Sequence, residues 1–161
     1  IRVYRRGGSA KLVLTSDVMV KDLASRGVVP RKSLTLSRMS GIPDDLLRHF
    51  FRGYVDGDGS IRKNAGSWTL SIAGTREFLQ WMRDFITRTI ETKAAVRKLA
   101  RISQLVFGGN HLALHVTSLL YAGSTIALQR KQMAYQAMIE DFAVTSHRSP
   151  RTSVRSVTSI T

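Results

Sequence analysis

The chain contains no cysteine. This excludes a disulfide framework, thiolate zinc sites and a cysteine nucleophile. Acidic residues are scarce: 11 Asp and Glu stand against 25 Lys and Arg, a formal net charge of +14 with a pI near 11.2. A surface this basic repels itself unless a polyanion lies on it. Nucleic acid is therefore the leading partner class, and an acidic membrane surface the second. No apolar run approaches the roughly 20 residues a membrane span needs. The opening segment, with Arg2, Arg5 and Arg6, has no apolar block of a secretory signal, so an intracellular protein is expected. What is present is a hydrophobic share of 43% in 161 residues, enough for one compact domain with a real core. The chain opens at Ile1 rather than at methionine, which fits a fragment.

The charge is concentrated in stretches. No acidic residue occurs from Ile1 to Ser16, nor between Glu91 and Glu140, where Lys93, Arg97, Lys98, Arg101, Arg130 and Lys131 fall. Such stretches suit elements that face phosphates better than a merely solvated face.

Residues 1–10 read as a frayed basic arm. Alternation predicts a strand over Ala10 to Thr15, and Ser16 caps a helix from Asp17 to about Ser25 that Gly27 ends. Pro43, Asp44 and Asp45 open a second helix, predicted to run to about Val55. Its apolar residues form two stripes, leaving Arg48, His49 and Arg52 as a narrow polar side, so more than one face is expected to be packed. Gly57 and Gly59 are read as its stop, followed by a hairpin of Ser60 to Asn64 and Ser67 to Ala73 about Ala65-Gly66. Trp68, Leu70 and Ile72 share one face there. Thr75 caps a helix to about Ile90. Lys93 to Ala100 and Ser103 to Phe107 form a second hairpin, Asn110 caps another helix, and a last one follows Arg130. The Ser, Thr and Arg of residues 144–161 read as a mobile basic tail.

Two segments echo each other. Strand Lys11–Thr15, cap Ser16, helix through Leu23 and Arg31-Lys32 parallel strand Gln104–Phe107, cap Asn110, helix through Leu120 and Arg130-Lys131. The match is loose. It implies a unit of helix, hairpin, helix, hairpin, helix, of which residues 43–131 hold a full copy and residues 1–32 only the closing half.

The sharpest chemistry lies in Phe51-Arg52-Gly53-Tyr54-Val55-Asp56-Gly57-Asp58-Gly59. Two aspartates at the C-terminal end of a buried helix oppose its dipole, and a divalent cation offsets that directly. An oxygen-only ligand set suits Mg²⁺. A hard-metal site beside basic strands suggests phosphodiester hydrolysis. An EF-hand is excluded. With Asp56 and Asp58 as its third and fifth loop residues, Tyr54 and Ala65 fall where the first and last ligands belong. Starting at Asp56 instead puts Ile61 where glycine must turn. His111 and His115 stand four apart on a helix but lack a third ligand, and are read as structural.

This segment resembles the motif of the LAGLIDADG homing endonucleases, with four of nine residues identical: Gly53, Asp56, Asp58 and Gly59. Phe51, Arg52 and Gly57 depart from it. Its flanks are also similar: Ile72-Ala73-Gly74-Thr75 after the hairpin, Leu120-Tyr121 before Arg130-Lys131, and Gly27 to Ser33 as the close of an earlier repeat. The resemblance spans residues 10–143. It implies an α+β fold built from αββαββα repeats with an antiparallel saddle-shaped sheet over DNA. Residues 1–36 would be the closing half of a first repeat and 42–143 a complete one. Motif helices would pair through Gly53, with Phe50 beside it. Asp58 would be the catalytic metal ligand with the Gly57 carbonyl, holding Mg²⁺ (or Mn²⁺), while Asp56 serves local structure. Lys131, and Lys32 in the partial repeat, would be the basic catalytic residues. Arg62 and Asn64, alternating on one strand, are expected to read guanine and adenine. Arg97, Lys98 and Arg101 would touch bases or phosphates, which parity alone does not decide. The implied partner is double-stranded DNA, cut with the help of a missing upstream repeat or a second copy of the chain. Alternatives on the same scaffold are an intron RNA maturase, a transcription regulator, or the endonuclease module of an intein.

Overall fold

The structure is a computed structural model and describes residues 2–6, 9–30 and 35–147. Strand β1 (Arg2–Arg6) pairs antiparallel with β2 (Ser9–Val13), in the register Arg2 to Val13 and Arg6 to Ser9. The segment expected to be a frayed arm is thus the outer strand of a hairpin. Gly7 and Gly8, between the two strands in sequence, lie outside the described residues. Helix α1 (Asp17–Ser25) follows, with Ser16 accepting the Met19 N–H as its cap, as expected.

Helix α2 (Asp44–Asp58) runs three residues beyond the predicted end. Gly57 stays helical, and the Gly59 N–H still reaches the Val55 carbonyl. Gly59 is needed there for space: a Cβ would stand 2.6 Å from the Val55 oxygen and 2.7 Å from its Cγ1. The chain turns directly into β3 (Gly59–Asn64), which pairs with β4 (Ser67–Gly74) across an Ala65-Gly66 turn with φ of 46° and 78°. Both values are positive, as a two-residue hairpin turn of this twist requires. Helix α3 (Arg76–Thr89) is capped by Thr75, which accepts the Phe78 N–H. The second hairpin is shorter than predicted on its first side: β5 (Val96–Lys98) pairs with β6 (Ser103–Gly108). Helix α4 (Asn110–Tyr121) starts one residue earlier than its predicted cap allows, because Gly109, at φ 91°, stands at the cap. The Asn110 side chain instead accepts the Trp68 N–H at 2.8 Å and donates to the Gly66 carbonyl, tying helix to hairpin. Helix α5 (Gln129–His147) extends into the segment read as tail; residues 148–161 lie outside the described ones.

The larger sheet is fully antiparallel, in the order β3-β4-β6-β5. With its helices it makes the α+β class, in the helix, hairpin, helix, hairpin, helix order that the repeat implies. One sheet face carries Trp68, Leu70, Ile72, Leu105 and Phe107, all buried. Helices α2 to α5 pack on that face, and Phe51, Val55, Phe78, Leu79, Met82, Val116 and Leu120 complete the core. Each large side chain removed from water there contributes about 1.5–3 kcal/mol. By contrast α1 buries none of its residues, and Val18, Met19, Val20 and Leu23 stay exposed.

Candidate functional site

Three surfaces meet where α2 runs into β3. The first is the helix end. Asp58 is the last residue of α2 and is exposed. Its carboxylate has no hydrogen-bond or ion-pair partner among the described residues. Asp56, two residues earlier and half-buried, is fully engaged. Tyr121 Oη donates to its Oδ1 at 2.7 Å and the Leu128 N–H to its Oδ2 at 3.0 Å. That pair of bonds ties the end of α2 to the loop between α4 and α5. Burial first, and the bond to Asp56 second, push the Tyr121 phenol well above its usual range. The Tyr54 phenol, one turn before Asp58, is pushed up to about 12, by burial first and the Asp58 charge second.

Lys131 arrives at the same place from α5. It is buried, and its Nζ donates to the carbonyl of Gly59, the residue after Asp58. Burial chiefly, then the neighbouring Arg130 charge, hold its ammonium below the usual lysine range, with Asp56 opposing and Arg62 adding. Sequence reading linked Lys131 to Asp58 only through the family; the fold brings it within one residue. Lys32, the other basic residue expected to be catalytic, lies outside the described residues.

The second surface is the helix face. Gly53 and Gly57 are exposed, and a Cβ at either would meet nothing within 4 Å. Leu46, on the same stripe, is 49% exposed. The expectation that α2 is packed on more than one face is therefore met on one side only. Phe50 turns inward, stacking on Phe51, Phe78 and Trp81 at 5.5–6.1 Å. Arg52, expected on the polar side, is buried and donates to the Leu120 carbonyl at 3.2 Å, one of the acceptors that the end of α4 leaves free.

The third surface is the uncovered face of the sheet. Lys63 lies on the helix side, where its Nζ pairs with Asp141 of α5 at 2.5 Å. Its neighbours Arg62 and Asn64 therefore point the other way, and both are exposed. The register sorts the rest. Arg97 is opposite Gln104, and so shares the open face with Thr69, Ser71 and Gln104. Lys98 is opposite the buried Ser103 and belongs to the helix side. Arg101 sits in the β5–β6 loop. The structure thus gathers Arg62, Asn64 and Arg97 on one face and separates Lys98 and Arg101 from them. Thr69, Ser71 and Gln104 were not singled out from the sequence, although the alternation of Ser67, Thr69 and Ser71 with Trp68, Leu70 and Ile72 marks a polar face.

The donor set at Asp58 has the hard-oxygen chemistry of a Mg²⁺ site but is incomplete by itself. Among the described residues no group of three or more His, Asp or Glu side chains is placed to hold a metal. His111 packs edge-on against Phe142 at 4.8 Å, consistent with a structural histidine. No described helix is long and apolar enough to cross a membrane.

No protein-family model matches the chain, and no curated protein matches it. Among solved structures it is similar to two complexes of the homing endonuclease I-CvuI. One, with the I-CreI target in the presence of 2 mM Mg and with the DNA not cleaved, shares 16% identity at a TM-score of 0.45. The other, with its target in the presence of 2 mM Ca, shares 15% at a TM-score of 0.46. Each match covers 66% of this chain and 73% of the other.

Proposed function

We propose that the chain is a DNA-binding half-unit of a metal-dependent, site-specific endonuclease. The observation that carries this is the exposed Asp58 carboxylate, without a partner among the described residues, at a helix end whose next residue, Gly59, accepts from a buried lysine and opens the strand that carries Arg62 and Asn64. Duplex DNA lies on that face, with Arg62, Asn64 and Arg97 toward its base edges and backbone. Asp58 and the Gly57 carbonyl would hold Mg²⁺ or Mn²⁺, which would supply charge stabilisation at a phosphate oxygen and an activated water. Lys131, anchored on the Gly59 carbonyl, sets positive charge beside the reacting phosphate and orients solvent there. Asp56 and Tyr121 hold the helix end in place and touch no substrate.

One carboxylate does not complete a metal site or cut two strands. A second motif helix, packed on the open Gly53 stripe, would supply a further carboxylate. An upstream repeat or a second copy of the chain supplies that helix. The unpacked apolar residues of α1 fit the same arrangement, as the close of an earlier repeat.

The lone carboxylate also favours a second reading, a nucleic-acid binder that does not cut, such as an intron maturase or a transcription regulator. Cleavage separates the two. Duplexes selected for binding to the chain assembled with its second motif helix are incubated with Mg²⁺. The wild type cuts them, whereas Asp58→Asn binds them with unchanged affinity and does not cut. Equal cutting by Asp58→Asn removes the assignment, and selected duplexes left intact by the wild type select the binder.

A further inference from the structure

A pocket of about 340 Å³ opens at the edge of the sheet, away from the open face. It is walled by Gly74, Thr75 and Arg76 at the start of α3 and by the 98–103 segment of the β5–β6 hairpin. Three cations line it: Arg76, Lys98 and Arg101. None of them has a carboxylate partner among the described residues, and no acidic residue lines the pocket. Glu77 is in the first turn of α3 but outside the wall.

The start of α3 adds to this field. Thr75 satisfies the Phe78 N–H with its side chain and the Leu79 N–H with its carbonyl. The Arg76 amide, first in the helix, has no intrahelical acceptor and stands at the pocket wall. An independent feature points to a ligand. Ser103 is 5% exposed, lines the pocket, and its hydroxyl makes no hydrogen bond among the described residues. Its oxygen is reachable from the pocket, because Ser103 Oγ is not among the fully buried side-chain atoms that lack a partner, and a phosphate oxygen there is an acceptor for the hydroxyl.

We infer that this pocket is a phosphate site, gripping one phosphate group between Lys98, Arg101, Arg76 and the Ser103 hydroxyl. Its volume exceeds that of a lone phosphate, and Leu99 and Ile102 give it an apolar lip. A sugar attached to the phosphate fits that shape. Two sources share this chemistry: a backbone phosphate of bound nucleic acid, and a free phosphate or nucleoside monophosphate. The first rests on the DNA-binding reading above; the second does not.

Titration calorimetry on the full chain with inorganic phosphate, adenosine 5′-monophosphate and a duplex tests it. Ser103→Ala, and separately the surface pair Lys98→Ala with Arg101→Ala, are expected to weaken binding about tenfold or more. Lys21→Ala on α1, which removes one charge elsewhere, is the control and changes binding little. Loss confined to the duplex identifies a backbone phosphate as the occupant. Loss confined to the small anions identifies a free one, whatever becomes of the DNA reading. If neither variant weakens any of the three, or Lys21→Ala weakens them as much, the site does not exist.

Discussion

Asp56 and Asp58 are the same residue type two positions apart, yet they meet opposite environments. Asp56 accepts from a buried phenol and a backbone amide; Asp58 faces out with its oxygens free. The consequence is a division between stability and chemistry. Tyr121→Phe keeps the ring packed but strips one donor from the half-buried Asp56 carboxylate. It is expected to cost about 1–3 kcal/mol of folding stability, read by urea unfolding. Asp58→Asn, which breaks no hydrogen bond or ion pair among the described residues, is expected to stay within about 0.5 kcal/mol of wild type in the same assay. If Asp58→Asn proves the more damaging of the two, its carboxylate is a structural group.

At the scale of the element, α2 shows why glycines in one motif are not alike. Gly59 sits where a Cβ would strike the Val55 carbonyl, so Gly59→Ala must push apart the helix end and β3. A loss of about 1–3 kcal/mol is expected, read as a lowered Tm. Gly53 lies mid-helix with open space beside it, so Gly53→Ala gains helix propensity. It should stabilise the isolated chain by about 0.5–1 kcal/mol. The same methyl would sit in the path of a partner helix. A higher Tm with weaker assembly supports the docking face, whereas a lower Tm in the isolated chain means that the Gly53 surface is already covered. The hairpin β3–β4 is fixed by comparable means. Trp68 Nε1 donates to Asp141 at 2.7 Å while Lys63 pairs with the same carboxylate, so α5 clamps the strands from the helix side and leaves Arg62 and Asn64 facing out.

For the whole molecule, part of the excess positive charge lies on two surfaces. Arg62 and Arg97 occupy the open sheet face, and Lys98 and Arg101 the pocket edge. If these four cations meet phosphates, duplex affinity is expected to fall by about a hundredfold between 50 and 200 mM salt. A binding titration across that range measures it, and a flat profile means that these cations do not meet phosphates. The uncovered apolar residues of α1 and the open stripe of α2 lie on different elements.

The sequence by itself determined the order of elements, because that order depends on local signals. The caps at Ser16 and Thr75, the Ala65-Gly66 turn and the alternation through Trp68, Leu70 and Ile72 each act within a few residues. It also marked Asp58 and Lys131 as candidates, through the pattern shared with a family. Local signals mislead where a distant group competes. Asn110 leaves its helix cap for Trp68 and Gly66, Arg52 turns inward to Leu120, and Gly57 stays helical beside the tight Gly59 junction. Only the tertiary structure decided which cations share a surface. Facing depends on strand register and on which side the helices cover, and both are set by pairings between residues far apart in the chain.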